Sequence, residues 1–562
     1  ILGKDIKGIV EETERKQIWE STDGLRYSFR HELLRDAAHK IQMDTRLYEL
    51  HQKAAQAYET LYADTLPWHY VELVYHYNQA QDEEKERYYA KLAGDQAAAR
   101  FANKEAISYY SRALELTPAT ETEFRYQLLI AREKVHQLLG ERQPQADDLK
   151  ALAELVQTLG DPHKQAEVSL HWANYWESIN DYSAANLAVQ QAIEFANQKA
   201  PDGPDAANLV AQSHLIWGRS LTALSDYAAA REHHERALEI FRSVGNENEA
   251  ANALQYLGTV FTYQANYNLA LKHYRETLYL YRKMGNRQGE AHVLNNLGTI
   301  AANQGNLAEE KNYYELALRI RQEIGDRNGE ADTLNNLGLT ARSLGDFMLA
   351  RDYYRQALEI YFEVQDRFGE QVILHNLGEA FYYLKMYPEA LASYRQALFI
   401  GREIGDRDGE ALTLQHIGNV LRDTGNLVQA EQHYQQALAL HRELGQFQYK
   451  AEELAGLADV AFVRENVPQA LKYVREIMLI LSRNPSLEGS EEPLRVYLTC
   501  YHVLNAAGDL QANQILQNAY QLLTSRKERI LDTEMRRKFI ENNPWHMEVL
   551  TLWKKTGNYS AG

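Results

Sequence analysis

Residues 291–305, AHVLNNLGTIAANQG, return 40 positions later as residues 331–345, ADTLNNLGLTARSLG, and again as residues 371–385, QVILHNLGEAFYYLK. The register runs over residues 211–482. Gly218, Gly258, Gly298, Gly338, Gly378 and Gly418 are evenly spaced, and all but the first follow Leu or Ile. Further along each unit stands Ala230, Ala270, Ala350, Ala390 or Ala430, then Tyr274, Tyr314, Tyr354, Tyr394 or Tyr434. An Ala-Leu pair closes the pattern at Ala237-Leu238, Ala317-Leu318, Ala357-Leu358, Ala397-Leu398 and Ala437-Leu438. A fixed period of this length marks stacked supersecondary units, none able to bury its apolar face alone.

Within one unit, Ala291, Leu294, Leu297 and Ala301 share a face at helical spacing and predict an amphipathic helix A. Gly305-Asn306 is expected to end it, with Gly in the left-handed cap and Asn capping the next helix. Helix B carries Tyr313, Tyr314, Ala317, Leu318 and Ile320 and stops at Gly325. Pro388 and Pro468 fall just inside the start of later B helices, where a missing N–H costs little. Gly298 falls mid-helix, where Gly costs roughly 1 kcal/mol against Ala. The expected compensation is an approach of helices A and B that a Cβ would prevent. The loops Gly325-Asp326-Arg327-Asn328-Gly329-Glu330 and Gly405-Asp406-Arg407-Asp408-Gly409-Glu410 lack the alternating carboxylates and distant bidentate Glu of a calcium loop. They read as punctuation: Gly as C-cap, Asp as N-cap, Glu in the first turn beside the helix dipole.

Composition agrees with an all-α chain. Among 562 residues there are only 11 Pro and 31 Gly, and helix formers dominate. A credible strand pattern occurs only near the N-terminus. The formal charge of −18 argues against a phosphate-backbone partner, so no nucleic acid is expected. One cysteine, Cys500, forbids an internal disulfide, suits a reducing compartment and reads as packing. With no apolar run approaching a membrane span, a cytoplasmic location without membrane attachment is expected. The chain begins at Ile1 rather than Met, so an upstream portion is expected.

The pattern of Leu-Gly, a small or aromatic residue three on, then Ala, aromatic and Ala resembles the tetratricopeptide repeat. The 40-residue unit is similar to those of kinesin light chains and G-protein-signalling modulators, which also carry Asn-Asn-Leu-Gly and Gly-Asp-Arg segments. The resemblance implies an all-α, right-handed superhelix that binds a protein or peptide in a concave groove lined by helix A. It continues in weaker form at Asn180-Asp181-Tyr182 with Ala185, Ala188 and Ala192, and at Ala106, Tyr109, Tyr110, Ala113 and Leu114. Gly508-Asp509 with Ala512, Ala519 and Tyr520 reads as a worn terminal unit.

A second resemblance lies at the ends. Tyr27-Ser28-Phe29-Arg30-His31-Glu32-Leu33-Leu34-Arg35-Asp36-Ala37-Ala38, followed by Leu50-His51 and Ala54-Ala55, is similar to the segment after the ATPase module in bacterial signal-transduction ATPases with numerous domains. Those include predicted ATPase–adenylate/guanylate cyclase-like proteins and relatives of maltose-activator-like regulators. Leu138-Leu139-Gly140-Glu141-Arg142, Gln145 and Asp148-Leu149 fit it too, as does the tail around Arg536, Phe539, Asn543-Pro544 and Trp545. The resemblance implies a winged-helix-like element over 1–45, degenerate helical repeats over 46–164, an array over 165–482, and a degenerate repeat with a helical cap over 483–562. No GxxxxGK[ST] occurs, so any ATPase or cyclase activity is expected in an upstream module.

Catalysis and cofactors are not expected. His31-Glu32 lacks the second histidine of HExxH, since Arg35 stands there and His39 is too distant. The candidate sites are the polar positions of helix A. Asn295-Asn296 and Asn335-Asn336 are paired, Asn376 holds the second position, and His375, Gln415 and His416 fill the others. Asn is a poor mid-helix residue, so such a run needs a reason. Two readings stand: contact with a ligand, or amides tying unit to unit. The second position matches the asparagine that contacts peptides in related repeats. Tyr263, Asn303, Arg342, Tyr382, Tyr383, Asn419 and Arg422 extend the candidate groove, near Thr259, Thr299 and Glu379. Relatives that bind carboxylate-terminated chaperone tails use lysine where this chain has Gln255, Asn295, Asn335, His375 and Gln415, so recognition of extended backbone and apolar side chains is implied instead. The function expected is partner recognition by the sensor arm of a signalling ATPase. A constitutive scaffold and a small-molecule sensor of the maltose-activator type are the alternatives.

Overall fold

The computed structural model describes residues 19–21, 27–29, 44–100, 102–198, 203–446, 449–487, 490, 492–528, 530 and 533–556. His31, Glu32, Arg35, His39 and most of the winged-helix-like element lie outside these residues. What is described there is an antiparallel pair of strands, Trp19–Ser21 and Tyr27–Phe29, with Trp19 opposite Phe29.

The rest is helical, in two compact units, 1–253 and 254–562. In the first, helices Asp44–Leu61 and Tyr70–Gln79 flank a 3₁₀ segment, Ala63–His69. Antiparallel pairs follow: Glu83–Ala99 with Asn103–Leu116, Thr122–Leu139 with Arg142–Leu159, Pro162–Ser178 with Tyr182–Ala196, and Pro204–Ala223 with Tyr227–Ser243. The second resemblance's mid-chain residues serve as internal ties here. Gly140 is a left-handed C-cap, buried Gln145 donates to Glu133 at 2.8 Å, and Asp148 accepts from Arg132.

Helix Glu247–Tyr263 spans the division between the units. Beyond it the second unit pairs Arg287–Asn303 with Leu307–Ile324, Arg327–Ser343 with Phe347–Val364, Arg367–Tyr383 with Tyr387–Ile404, and Arg407–Asp423 with Leu427–Glu443. Lys450–Val463 with Val467–Arg483 and Pro493–Ala506 with Gln511–Glu528 follow, then two short helices, Thr533–Glu541 and Pro544–Lys555.

The punctuation behaves as the residue types demand. Gly305 takes φ +73°, and the Asn306 side chain caps the next helix. Gly325 takes φ +71°, and Asp326 accepts from the Gly329 amide at 3.0 Å. Pro388 and Pro468 lie in the first turn of their helices. At four equivalent positions, Ser225, Ala265, Lys385 and Glu465, a residue other than glycine holds φ between +54° and +62°.

The mid-helix glycines answer to aromatic rings. A Cβ on Gly298 would meet Tyr314 at 2.6 Å, and one on Gly378 would meet Tyr394 at 2.7 Å. These tyrosines are buried between their own helix A and helix B, and Tyr354, Tyr394 and Tyr434 are fully inaccessible.

The GDR loops do more than punctuate. Arg287, Arg327, Arg367 and Arg407 each reach a glutamate in the last turn of the helix B paired with their own helix A, namely Glu323, Glu363, Glu403 and Glu443, at 2.5–2.6 Å. In the first three units the same guanidinium also holds Glu290, Glu330 or Glu370 in its own first turn. The glutamate read as a dipole partner therefore also shares a guanidinium that clamps the start of helix A to the end of its own helix B. Cys500 is fully buried in helix Pro493–Ala506, and burial pushes its thiol up.

Candidate binding site on the helix-A face

The side chains singled out on helix A fall into two groups. Upstream, Asn295, Asn296, Asn335, Asn336 and Asn376 are half-buried, whereas Tyr263 and Asn303 are exposed. The amides form a diagonal ladder: Asn336 Nδ2 donates to Asn295 Oδ1 at 3.0 Å, and Asn376 Nδ2 donates to Asn335 Oδ1 at 2.9 Å. Each rung joins the second position of one unit to the first position of the unit before it. A side-chain amide carries two N–H groups and two acceptor lone pairs, so a rung engages only part of either residue.

Downstream, the equivalent positions are buried and netted together. His375 Nδ1 lies 3.0 Å from Thr413 Oγ1, and its ring meets His416 edge-on at 4.8 Å between centroids. Gln415 donates to Glu452 at 2.6 Å. His416 lies 3.2 Å from the Tyr394 hydroxyl, and Asn419 accepts from Tyr434 at 2.8 Å. Arg422 bridges Asp423 and Asp459, and Tyr382 donates to Asp423 at 2.7 Å. Arg342 pairs with Glu379. Tyr383 donates to Glu492 and stacks on Phe347 at 4.4 Å.

Residues the helix-A pattern does not point to complete this region. Glu492 lies just before helix Pro493–Ala506 and reaches Tyr383 from 109 positions away. Burial pushes its carboxyl up to about 7, opposed by the Tyr383 hydrogen bond and the Arg342 charge and reinforced by Glu379 and Glu452. Glu452 accepts from the Glu492 amide at 3.1 Å and lies beside Arg495. From the C-terminus, Asn542 Nδ2 donates to the Gly345 carbonyl at 3.1 Å. Arg526, Phe539, Asn543 and His546 enclose a cavity of about 170 Å³ with Arg342, Phe347, Tyr383 and Glu492. Only long-range folding brings Glu492, Arg526, Phe539, Asn542, Asn543 and His546 to these helix-A side chains, and none of the six stands at a helix-A repeat position.

The arrangement is a surface of hydrogen-bonding groups and rings. Among the described residues no group of His, Cys, Asp and Glu is placed to hold a metal ion. No described helix is long and apolar enough to cross a membrane.

Comparison with known proteins agrees with the repeat geometry. Residues 209–283, 289–361 and 370–443 match the family model of the tetratricopeptide repeat, so these segments are tetratricopeptide repeats. The chain is similar to the crystal structure of BtubC (BKLC) from P. vanneervenii at 22% identity, covering 40% of this chain and 92% of that one, with a TM-score of 0.35. It is similar to the apo form of RapI at 14% identity, covering 64% and 96%, with a TM-score of 0.48. The apo form of the quorum sensor NprR from B. thuringiensis is 13% identical, covering 65% and 99%, with a TM-score of 0.44. No curated protein matches the chain.

Proposed function

We propose that the repeat array binds a protein or peptide partner on its helix-A face, with no catalytic role of its own. The observation that carries this reading is the half-buried amide ladder from Asn295 to Asn376. Its rungs leave hydrogen-bonding capacity on each asparagine, in a stripe flanked by exposed Tyr263 and Asn303. A stripe of amides and tyrosines suits a peptide backbone with apolar side chains, because amides donate and accept at once. The two readings of the asparagines then coexist: one face of each amide ties units, and the other meets the partner.

The wider context rests on the N-terminal resemblance alone. On it we infer a sensor arm, in which partner binding relieves an inhibited state of a signalling ATPase.

Capture from native lysate tests the binding reading. The full chain is compared with a variant carrying Asn296→Ala, Asn336→Ala and Asn376→Ala. A partner retained by the first and lost by the second, while circular dichroism shows both folded, is the expected result. Equal retention removes the amide stripe from the site.

A further inference from the structure

The joint between the last two helices lies on the candidate site. Helix Thr533–Glu541 buries no residue of its own, yet the turn after it carries Asn542 to the Gly345 carbonyl, 197 positions back in the chain. Phe539 and His546 line the cavity over Tyr383 and Arg342, and Trp545 lines a second, small cavity with Tyr382, His416 and Asn419. Every one of those receiving residues, except Gly345, is a helix-A position read as ligand-facing from the repeat pattern.

Two features distinguish this joint from a plain terminal cap. It is held together by hydrogen bonds of its own. Asn543 caps helix Pro544–Lys555 through the Trp545 amide at 2.9 Å, and the buried His546 ring donates from Nδ1 to the Phe539 carbonyl at 2.7 Å. It is also incompletely satisfied in place, because the Trp545 indole N–H is buried without an acceptor. An unpaired buried donor raises the free energy of the docked state. The cap function proper belongs to Val549, which is fully buried in the core one turn further on.

We propose that residues 539–546 are the array's own occupant of its binding groove, and that a partner enters by displacing them with like chemistry. The displaced groups define that partner: a segment presenting an aromatic ring, a side-chain amide and a second aromatic ring in place of Phe539, Asn542 and Trp545. This rests on the binding reading above and adds to it a built-in competitor. Tethering gives the joint a high effective concentration, so a free ligand of equal intrinsic affinity binds weakly until the joint is released.

A labelled synthetic peptide of residues 533–556 is the probe, titrated into the full chain and into a full-length variant carrying Phe539→Ala, Asn542→Ala and Trp545→Ala. The opened variant is expected to bind the peptide at least about tenfold more tightly than the natural chain, as release of a tethered competitor requires. Equal affinity for the two folded chains overturns the proposal. Should the triple variant fail to fold, Asn542→Ala alone, which keeps Val549 in the core, is read by the same criterion. Lysate capture separates this inference from the reading it rests on. Peptide binding to the opened chain without any captured partner would count against the binding reading alone. A partner captured equally by both chains would count against the occluding joint alone.

Discussion

Tyr314 Cε1 lies 2.6 Å from the point that a β-carbon on Gly298 would occupy, so the ring fills the room that the absent side chain leaves. The relationship recurs at Gly258 with Tyr274, at Gly378 with Tyr394 and at Gly418 with Tyr434. Gly298→Ala is therefore expected to destabilise the second unit despite the better helix propensity of alanine. Overpacking costs roughly 1–3 kcal/mol, against roughly 1 kcal/mol recovered from propensity. Urea unfolding of Gly298→Ala, Tyr314→Ala and the double variant measures the coupling. A double variant more stable than the sum of the singles predicts is the expected outcome, and strict additivity would break the link between the two positions.

Asn336→Ala leaves Asn295 without its rung partner. A net loss of roughly 0.5–1.5 kcal/mol is expected, with the same order of coupling in an Asn295/Asn336 double-mutant cycle. Thermal unfolding of the four proteins reads it. A coupling indistinguishable from zero would mean the rung contributes nothing to unit-to-unit stability.

Glu310 is buried beside Thr340, whose hydroxyl donates to it at 2.5 Å, and burial pushes its carboxyl from 4.5 up to about 7. Below about 4.5 the group is protonated in both states and contributes no pH dependence. As pH rises to about 7 the unfolded chain releases the proton while the folded chain keeps it, so stability falls across that window and is level above it. Glu310→Gln removes this penalty. The variant should exceed the natural chain by up to about 3 kcal/mol above the window and match it below. Denaturation midpoints of the pair at pH 4, 6 and 8 check the sign, and a constant difference across the series would contradict it.

Ala265 sits at φ +54°, as Ser225, Lys385 and Glu465 do at φ +62°, +59° and +60°, whereas three equivalent turns hold Gly305, Gly345 and Gly425 at φ +73°, +73° and +81°. A non-glycine residue there costs roughly 1–2 kcal/mol. Ala265→Gly, which relieves this, should raise the melting temperature of the second unit. Glycine also loses more chain entropy on folding, so a net gain of about 1 kcal/mol is expected. A drop in melting temperature would show that the turn is not strained by its side chain.

The local features were legible because they are local. Gly305-Asn306, Gly325-Asp326 and Pro388 each act within one turn, and Gly298 announces a close approach because nothing else justifies a glycine there. The aromatic partner was not read there, because the fixed spacing of Tyr314 from Gly298 does not by itself say that the two meet. The asparagine positions were visible, but their pairing was not. A rung from Asn336 to Asn295 depends on how far one helix slides along the next, which periodicity does not encode. The clamp from Arg327 to Glu363 has the same character. Glu492 and Asn542 lay beyond sequence reasoning altogether, because their partners Tyr383 and Gly345 are reached only through the packing of several intervening units.

Cys500 offers a chemical clock for this chain. It is the sole thiol, fully inaccessible, and held protonated by its surroundings. A thiol reagent therefore has one target, and it reacts only when helix Pro493–Ala506 opens. At reagent concentrations where closing outruns modification, the labelling rate reports the free energy of that opening. Each substitution above, and any ligand, then has a readout at one residue near the end of the array, without a spectroscopic tag.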